Sequence, residues 1–237
     1  MISFAVVCGE LFFLFQLSDR LTKTLYTLLY FVFRSKNVTV ALLTFIFLPG
    51  TIVHELAHLF TAEILRVPTG DISFTPEIRK NHLGKAEIRV GHVTHAATDP
   101  IRTFLIGIAP FFWGIGILTL IVWLFQYFWG QFSDIKQQIL LVIGIGYLLF
   151  AVSNSMFTSK KDMEGSEYFL PVMIFLLIAA YIAGIRFNLT GQSLKITQQL
   201  LTGLSQALGV VLVVNTLIFL TNIVLLQGLR KLFKVTP

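Results

Sequence analysis

The sequence predicts an all-α polytopic membrane protein, with about six transmembrane helices and a small β-hairpin at the membrane surface. Three observations carry that prediction. Hydrophobic residues make up 55% of the 237 and charged residues only 13%, about half the roughly 25% usual in soluble domains. The mean hydropathy is +0.80. Long apolar runs recur along the whole chain, and the one sizeable polar block, residues 67–100, alternates with the period of strands. A net charge of +6 does not point to nucleic acid, because the lysines and arginines collect at the ends of apolar runs, where anionic headgroups and the insertion machinery favour them. The single cysteine, Cys8, excludes a disulfide framework. Met1-Ile2-Ser3-Phe4 lacks the basic start of a cleaved signal peptide, so the N-terminus is expected to be retained.

Taken in order, residues 2–17 are apolar apart from Ser3, Glu10 and Gln16 and form a first span, in which Glu10 must face protein or water rather than lipid. Residues 18–37 carry Asp19, Arg20, Lys23, Arg34 and Lys36 around the aromatic-rich core Leu25 to Phe33, too short to cross alone, and read as an interfacial segment. Residues 38–66 would measure ~44 Å as one helix, more than the ~30 Å hydrocarbon core requires. A break is therefore expected at Pro49-Gly50, with Thr51 capping a fresh helix that ends near Arg66. Asp71 to Thr75 and Ala86 to Val90 alternate on either side of the turn-like Asn81-His82-Leu83-Gly84, which makes residues 67–100 a surface β-hairpin insertion. Asp99-Pro100 stops it and starts the next helix.

Residues 101–128, 138–157, 168–185 and 204–227 are four further spans of a single membrane domain. Gly107, Gly114, Gly116, Gly144 and Gly146 offer faces for close helix approach. Trp113, Trp123, Tyr127 and Trp129 are packing or interface anchors. Residues 129–137 form a short polar turn, residues 153–165 an irregular polar stretch lining a cavity or emerging into water, and a polar link containing Asn188 and Gln192 precedes the last span.

Within the longest apolar run lies Thr51-Ile52-Val53-His54-Glu55-Leu56-Ala57-His58-Leu59-Phe60. Residues four apart share a helix face, so His54 and His58 can present ring nitrogens to one zinc ion, with Glu55 beside the open coordination position. A glutamate so placed can take a proton from water. In a chain of this composition a chance His-Glu-x-x-His is expected on the order of three times in a thousand. The competing reading is a pair of buried histidines hydrogen-bonded to neighbouring helices, which is costly at membrane depth unless used. Measured back from Arg66, His58 lies ~12 Å and His54 ~18 Å into the helix.

Catalytic zinc normally has three protein ligands. Asp162 is the preferred third, because it follows a span that can pack on the histidine helix and lies in an unusual polar segment; Glu164 and Glu167 share that segment and are acceptable oxygen ligands. Glu63 falls off the histidine face and reads as a polar end residue. His92 and His95 sit in the strand-like block, where surface histidines are more often solvated.

His54-Glu55-Leu56-Ala57-His58-Leu59-Phe60-Thr61-Ala62, followed by Arg66-Val67-Pro68 and the strand-like Asp71-Ile72-Ser73-Phe74, resembles the site-2 protease family of intramembrane zinc metalloproteases. The match covers roughly residues 50–170. Asn154 and Asp162 have the separation of that family's later asparagine and ligand aspartate. The resemblance implies His54, His58 and Asp162 as zinc ligands, Glu55 as general base, and Asn154 as a substrate-positioning or oxyanion-stabilising group. Met163-Glu164 stands where glycines are usual, and Trp113 where the Ala109-Pro110 helix would carry an asparagine.

The expected activity is hydrolysis of a peptide bond in or near the membrane. The substrate would be a membrane-anchored protein, unwound and held by edge pairing on the strands of residues 71–90. A membrane-embedded zincin of another family, with Glu164 or Glu167 as ligand, and a non-catalytic scaffold or transporter are the alternatives. Six alternating crossings place Arg66, Arg79, Lys80, Lys85, Arg89, Arg102, Lys160, Lys161, Arg230, Lys231 and Lys234 on one side, a majority of the 18 basic residues. That side is expected to be cytoplasmic and to hold the site, in a membrane whose simplest assignment is prokaryotic.

Overall fold

In a computed structural model, the described residues are 2–80, 86–95, 98–132, 134–157 and 191–232, with side chains described outside residues 2, 3, 71–95 and 232. They form helix α1 (Ile2–Phe33), α2 (Lys36–Ile64), strands β1 (Thr69–Lys80) and β2 (Ala86–His95), then α3 (Pro100–Trp129), α4 (Ile135–Ser155) and α5 (Gly191–Leu232). Among them, α2, α3, α4 and α5 are each long and apolar enough to cross a membrane. The chain is an all-α polytopic membrane protein with one two-stranded antiparallel hairpin, β1 against β2.

Helix α1 runs without a break through residue 18, where the sequence suggested that a span ends and an interfacial segment begins. The reason is a single stripe: Val7, Leu14, Ser18, Leu21 and Leu25 are all buried, at spacings that keep them on one helix face. Asp19 and Lys23 sit outside that stripe as an exposed i,i+4 ion pair at 2.6 Å. The helix stops at Arg34, which adopts a left-handed φ of 50°, and α2 starts two residues later.

Helix α2 is also continuous, through Pro49. The expected break is absent: the carbonyl that Pro49 leaves without an intrahelical donor is that of Phe45, a residue on the exposed face of α2. Thr51 does not cap a new helix; its hydroxyl donates back to the Phe47 carbonyl at 3.2 Å, and the Tyr147 hydroxyl of α4 donates to the Ile46 carbonyl at 3.0 Å. Gly50 serves helix packing instead. A Cβ there would stand 2.1 Å from the Ala151 carbonyl oxygen, so only glycine lets α2 and α4 touch backbone to backbone. Three consecutive contacts, Ile46 with Tyr147, Gly50 with Ala151 and His54 with Ser155, run α4 alongside α2 in the same direction.

Helix α2 ends at Ile64 by a left-handed stop. Arg66 has φ 57°, its amide donates to the Glu63 carbonyl at 3.0 Å, and the Val67 amide donates to the Ala62 carbonyl at 2.8 Å. That is the doubled hydrogen-bond pattern of a Schellman stop. Val67 then packs with Ala62 on Ile106 of α3. Helix α3 begins as expected at Asp99-Pro100: the Asp99 carboxylate accepts the Arg102 amide at 3.0 Å, and this hydrogen bond holds the Asp99 carboxyl below its usual range. Gly114 of α3 lies against Met156 just past α4, so close that a Cβ at Gly114 would stand 2.5 Å from the Met156 Cβ. At Gly116, Gly144 and Gly146 an added Cβ would meet nothing within 4 Å among the described residues.

The last helix is longer than residues 204–227, because residues 191–203, including Gln192, are already helical. Ser205 meets Glu10, while Val214 and Ile218 join Leu21 and Leu25, so α5 runs parallel to α1. This corrects the side count. Arg230 and Lys231 lie at the end of the bundle with the α1–α2 turn, opposite the hairpin, and the basic excess assigned to the hairpin side shrinks accordingly. The span expected at 168–185 and the polar residues 158–167 lie outside the described residues.

Candidate metal centre

On α2 the buried residues Thr51, Glu55, His58 and Ala62 form the inward stripe, with His54 half-buried one turn before His58. The packing of α2 between α3 and α4 fixes both imidazoles by their Nδ1 atoms. His54 Nδ1 lies 2.7 Å from the carbonyl oxygen of Ser155, the last residue of α4, whose carbonyl has no further turn to bond it. His58 Nδ1 lies 2.8 Å from the carbonyl oxygen of Ile106 in the interior of α3.

A carbonyl oxygen only accepts, so each Nδ1 donates, and in the neutral ring Nε2 is then the nitrogen with the lone pair. The two Nε2 atoms are 3.2 Å apart, with the rings set edge to face at 77°. In two neutral rings so placed the Nε2 lone pairs converge, an arrangement that a cation between them relieves. Two nitrogens ~2.0–2.1 Å from one tetrahedral zinc stand ~3.3 Å apart. The donor set therefore fits a metal of that size and coordination, and the carbonyl partners on Nδ1 are the usual outer support of metal-binding histidine. Glu55, 4% exposed, stands between the two histidines in sequence on the same inward side.

No protein-family model, curated protein or solved structure matches this chain.

Of the residues singled out from sequence, the structure thus brings His54 and His58 together, with Glu55 buried on the same helix. Among the described residues no group of three or more His, Cys, Asp or Glu side chains gathers as a metal site; Asp162, Glu164 and Glu167 lie outside those residues. His92 and His95 belong to β2, where their backbones pair with Ser73 and Thr69 of β1. Glu63 is exposed at the end of α2, as an end residue should be.

Asn154 is close to the centre along the chain but turned into a different contact. Its Nδ2 donates to the Phe150 carbonyl at 2.7 Å and to Asn215 Oδ1 of α5 at 3.0 Å, which uses both amide hydrogens. Its buried Oδ1 has no hydrogen-bond partner among the described residues. In this arrangement Asn154 offers an acceptor, whereas stabilising an oxyanion needs a donor. Asn215, fully buried, also donates to Ser153 Oγ at 2.8 Å, and Ser18 of α1 donates to the Asn154 carbonyl at 3.5 Å. Sequence reasoning passed over Asn215, although an amide inside the apolar run Val210 to Leu220 was its signal. At Trp113, the position differing from the family pattern, the indole Nε1 donates to Thr61 Oγ1 at 3.2 Å, and the ring leans on Phe60, pinning α3 to α2 one turn beyond His58.

Proposed function

We propose that this chain is an intramembrane zinc metalloprotease, similar to the site-2 proteases, that hydrolyses peptide bonds of membrane-anchored proteins. The observation that carries the reading is the pair of Nε2 atoms 3.2 Å apart, each on a ring whose Nδ1 is committed to a carbonyl, with the buried Glu55 beside them. His54 and His58 would hold the ion, and Asp162 is the proposed third ligand. Ser155 supports that choice: its carbonyl touches the His54 ring, and Asp162 follows within a chain reach of at most ~24 Å.

A bound zinc ion supplies Lewis-acid polarisation of a carbonyl and acidification of a water molecule. The chain does the rest. Glu55 takes the proton of the attacking water on a carboxylate oxygen and returns it to the leaving amine nitrogen. Burial of Glu55 and His58 keeps bulk water from that exchange. The hairpin lies at the end of the bundle where α2 stops, and as a two-stranded sheet it has an outer edge on which an unwound substrate chain can pair.

The test is zinc content together with cleavage of a membrane-anchored reporter by the purified full chain. Glu55→Gln should keep zinc and lower turnover ~10²–10⁴-fold, while His54→Ala and His58→Ala should lose zinc. Cleavage at the wild-type rate by Glu55→Gln would refute the reading. Zinc lost on Glu164→Ala or Glu167→Ala but kept on Asp162→Ala would move the third ligand.

A further inference from the structure

Among the described residues two prolines stand inside membrane-spanning helices, Pro49 in α2 and Pro110 in α3, and only one of them lies opposite the centre. In an α-helix the amide of residue 110 would donate to the carbonyl of residue 106. Pro110 has no amide hydrogen, so the Ile106 carbonyl loses its intrahelical donor. Ile106 is 1% exposed and Pro110 is fully buried, so water cannot replace it. His58 Nδ1 can: it sits 2.8 Å from that oxygen.

We infer that Pro110 is a positioning residue of the centre: by withholding its own amide hydrogen it reserves the Ile106 carbonyl for His58 and thereby fixes which His58 nitrogen faces the metal. The need runs in both directions. An unsatisfied buried carbonyl is costly, so the oxygen demands a donor, and a ring that donates through Nδ1 must turn its Nε2 lone pair toward His54. Pro49 provides the contrast. The carbonyl it deprives belongs to Phe45, a residue 71% exposed on the outer face, and no imidazole meets it. His54 reaches the same state by another route, since its acceptor, the Ser155 carbonyl, is the terminal one of α4.

The inference concerns the chain's own hydrogen bonds, so it can be tested without a protease assay, although its use to the protein rests on the proposed function. The measurement is the ¹⁵N shift pattern of His58 in metal-free protein at mildly alkaline pH. It is made in a His54→Ala background so that no second imidazole competes, with His58 assigned by its loss in His58→Asn. The Nδ1–H form is expected, and the Nε2–H form would overturn the inference. Pro110→Ala restores an amide donor for Ile106 and should shift His58 toward Nε2–H. With His54 present, Pro110→Ala should weaken zinc binding, measured by chelator competition, by ~10–100-fold, the usual effect of losing a ligand's outer partner. Pro49→Ala should change neither. A folded Pro110→Ala or Pro110→Gly protein with His58 unchanged, or an equal zinc loss in Pro49→Ala, would overturn the inference, and if neither Pro110 variant folds the His54→Ala measurement decides alone. Wild-type protein that binds no zinc while His58 holds the Nδ1–H form would sink the metalloprotease reading and leave the role of Pro110 standing.

Discussion

Among the described residues, two groups of inward polar side chains find their partners in opposite ways. In the seam between α1, α4 and α5, side chains answer one another: Ser205 donates to Glu10 at 2.9 Å, Asn154 to Asn215, and Asn215 to Ser153. These contacts hold helices together, while the second Glu10 carboxylate oxygen and Asn154 Oδ1 meet no hydrogen-bond partner among the described residues. Between α2, α3 and α4, the imidazoles instead donate outward to backbone carbonyls and turn their Nε2 atoms toward each other at 3.2 Å. The first pattern joins side chain to side chain across helices; the second turns two ring nitrogens toward each other, an arrangement that suits a cation. Buried polarity alone therefore does not mark a functional site in a membrane protein; ring nitrogens that converge while the surrounding helices hold both rings are the stronger candidate.

The largest effect that would break the comparison comes from Gly50. An added Cβ meets the Ala151 carbonyl oxygen at 2.1 Å and Ser155 Oγ at 2.6 Å; the hydroxyl can turn away but the backbone carbonyl cannot, so α2 and α4 must separate. Gly50→Ala should cost ~1–3 kcal/mol and, by pulling His54 off the Ser155 carbonyl, weaken zinc binding ~10–100-fold. Gly144→Ala on the same α4, where the carbon meets nothing within 4 Å among the described residues, should hold zinc unchanged and gain up to ~1 kcal/mol of helix propensity. Thermal stability in detergent and chelator competition read both.

Asn215→Leu should separate the regions from the other side. It removes the acceptor of one Asn154 amide hydrogen and the donor to Ser153 Oγ, with an expected loss of ~1–3 kcal/mol in reversible unfolding. Zinc affinity should hold. A zinc loss as large as that of Gly50→Ala would mean that the seam and the centre are one network, and the distinction between them would fail.

How much of this could be read in the sequence follows from the range of each interaction. His54, Glu55 and His58 were legible because helical spacing alone puts them on adjoining faces, and the hairpin because strand alternation is local. Glu10 was legible as a residue needing a protein partner, but not Ser205, which lies far along the chain. The break expected at Pro49-Gly50 weighed the lost amide and the glycine propensity, both local quantities; the seat of Gly50 on the Ala151 carbonyl and the Tyr147 hydroxyl on the Ile46 carbonyl, which bind that turn to α4, come from the fold. The running of α1 through residue 18 was hidden for a related reason: Asp19, Arg20 and Lys23 lower the mean hydropathy there, yet Ser18, Leu21 and Leu25 continue the buried stripe. The partners of the imidazole Nδ1 atoms were unreadable, because they are backbone carbonyls, which every residue carries.

The smallest effect sharpens the contrast within α2 itself. Arg66 holds a left-handed φ of 57°, a conformation that costs a residue with a Cβ ~1–2 kcal/mol and glycine almost nothing. Its amide and that of Val67 close the helix end whatever the side chain, and Val67 is seated on Ile106, the residue whose carbonyl carries His58. Arg66→Gly should raise stability by up to ~1 kcal/mol, less whatever the looser unfolded chain takes back. It should leave zinc affinity where it was. Firmness of the α2 terminus and placement of the imidazoles would then be shown to be separate quantities, the metal site following the two carbonyls that hold its rings; a rise in zinc affinity in step with stability would mean instead that the end of α2 limits the site.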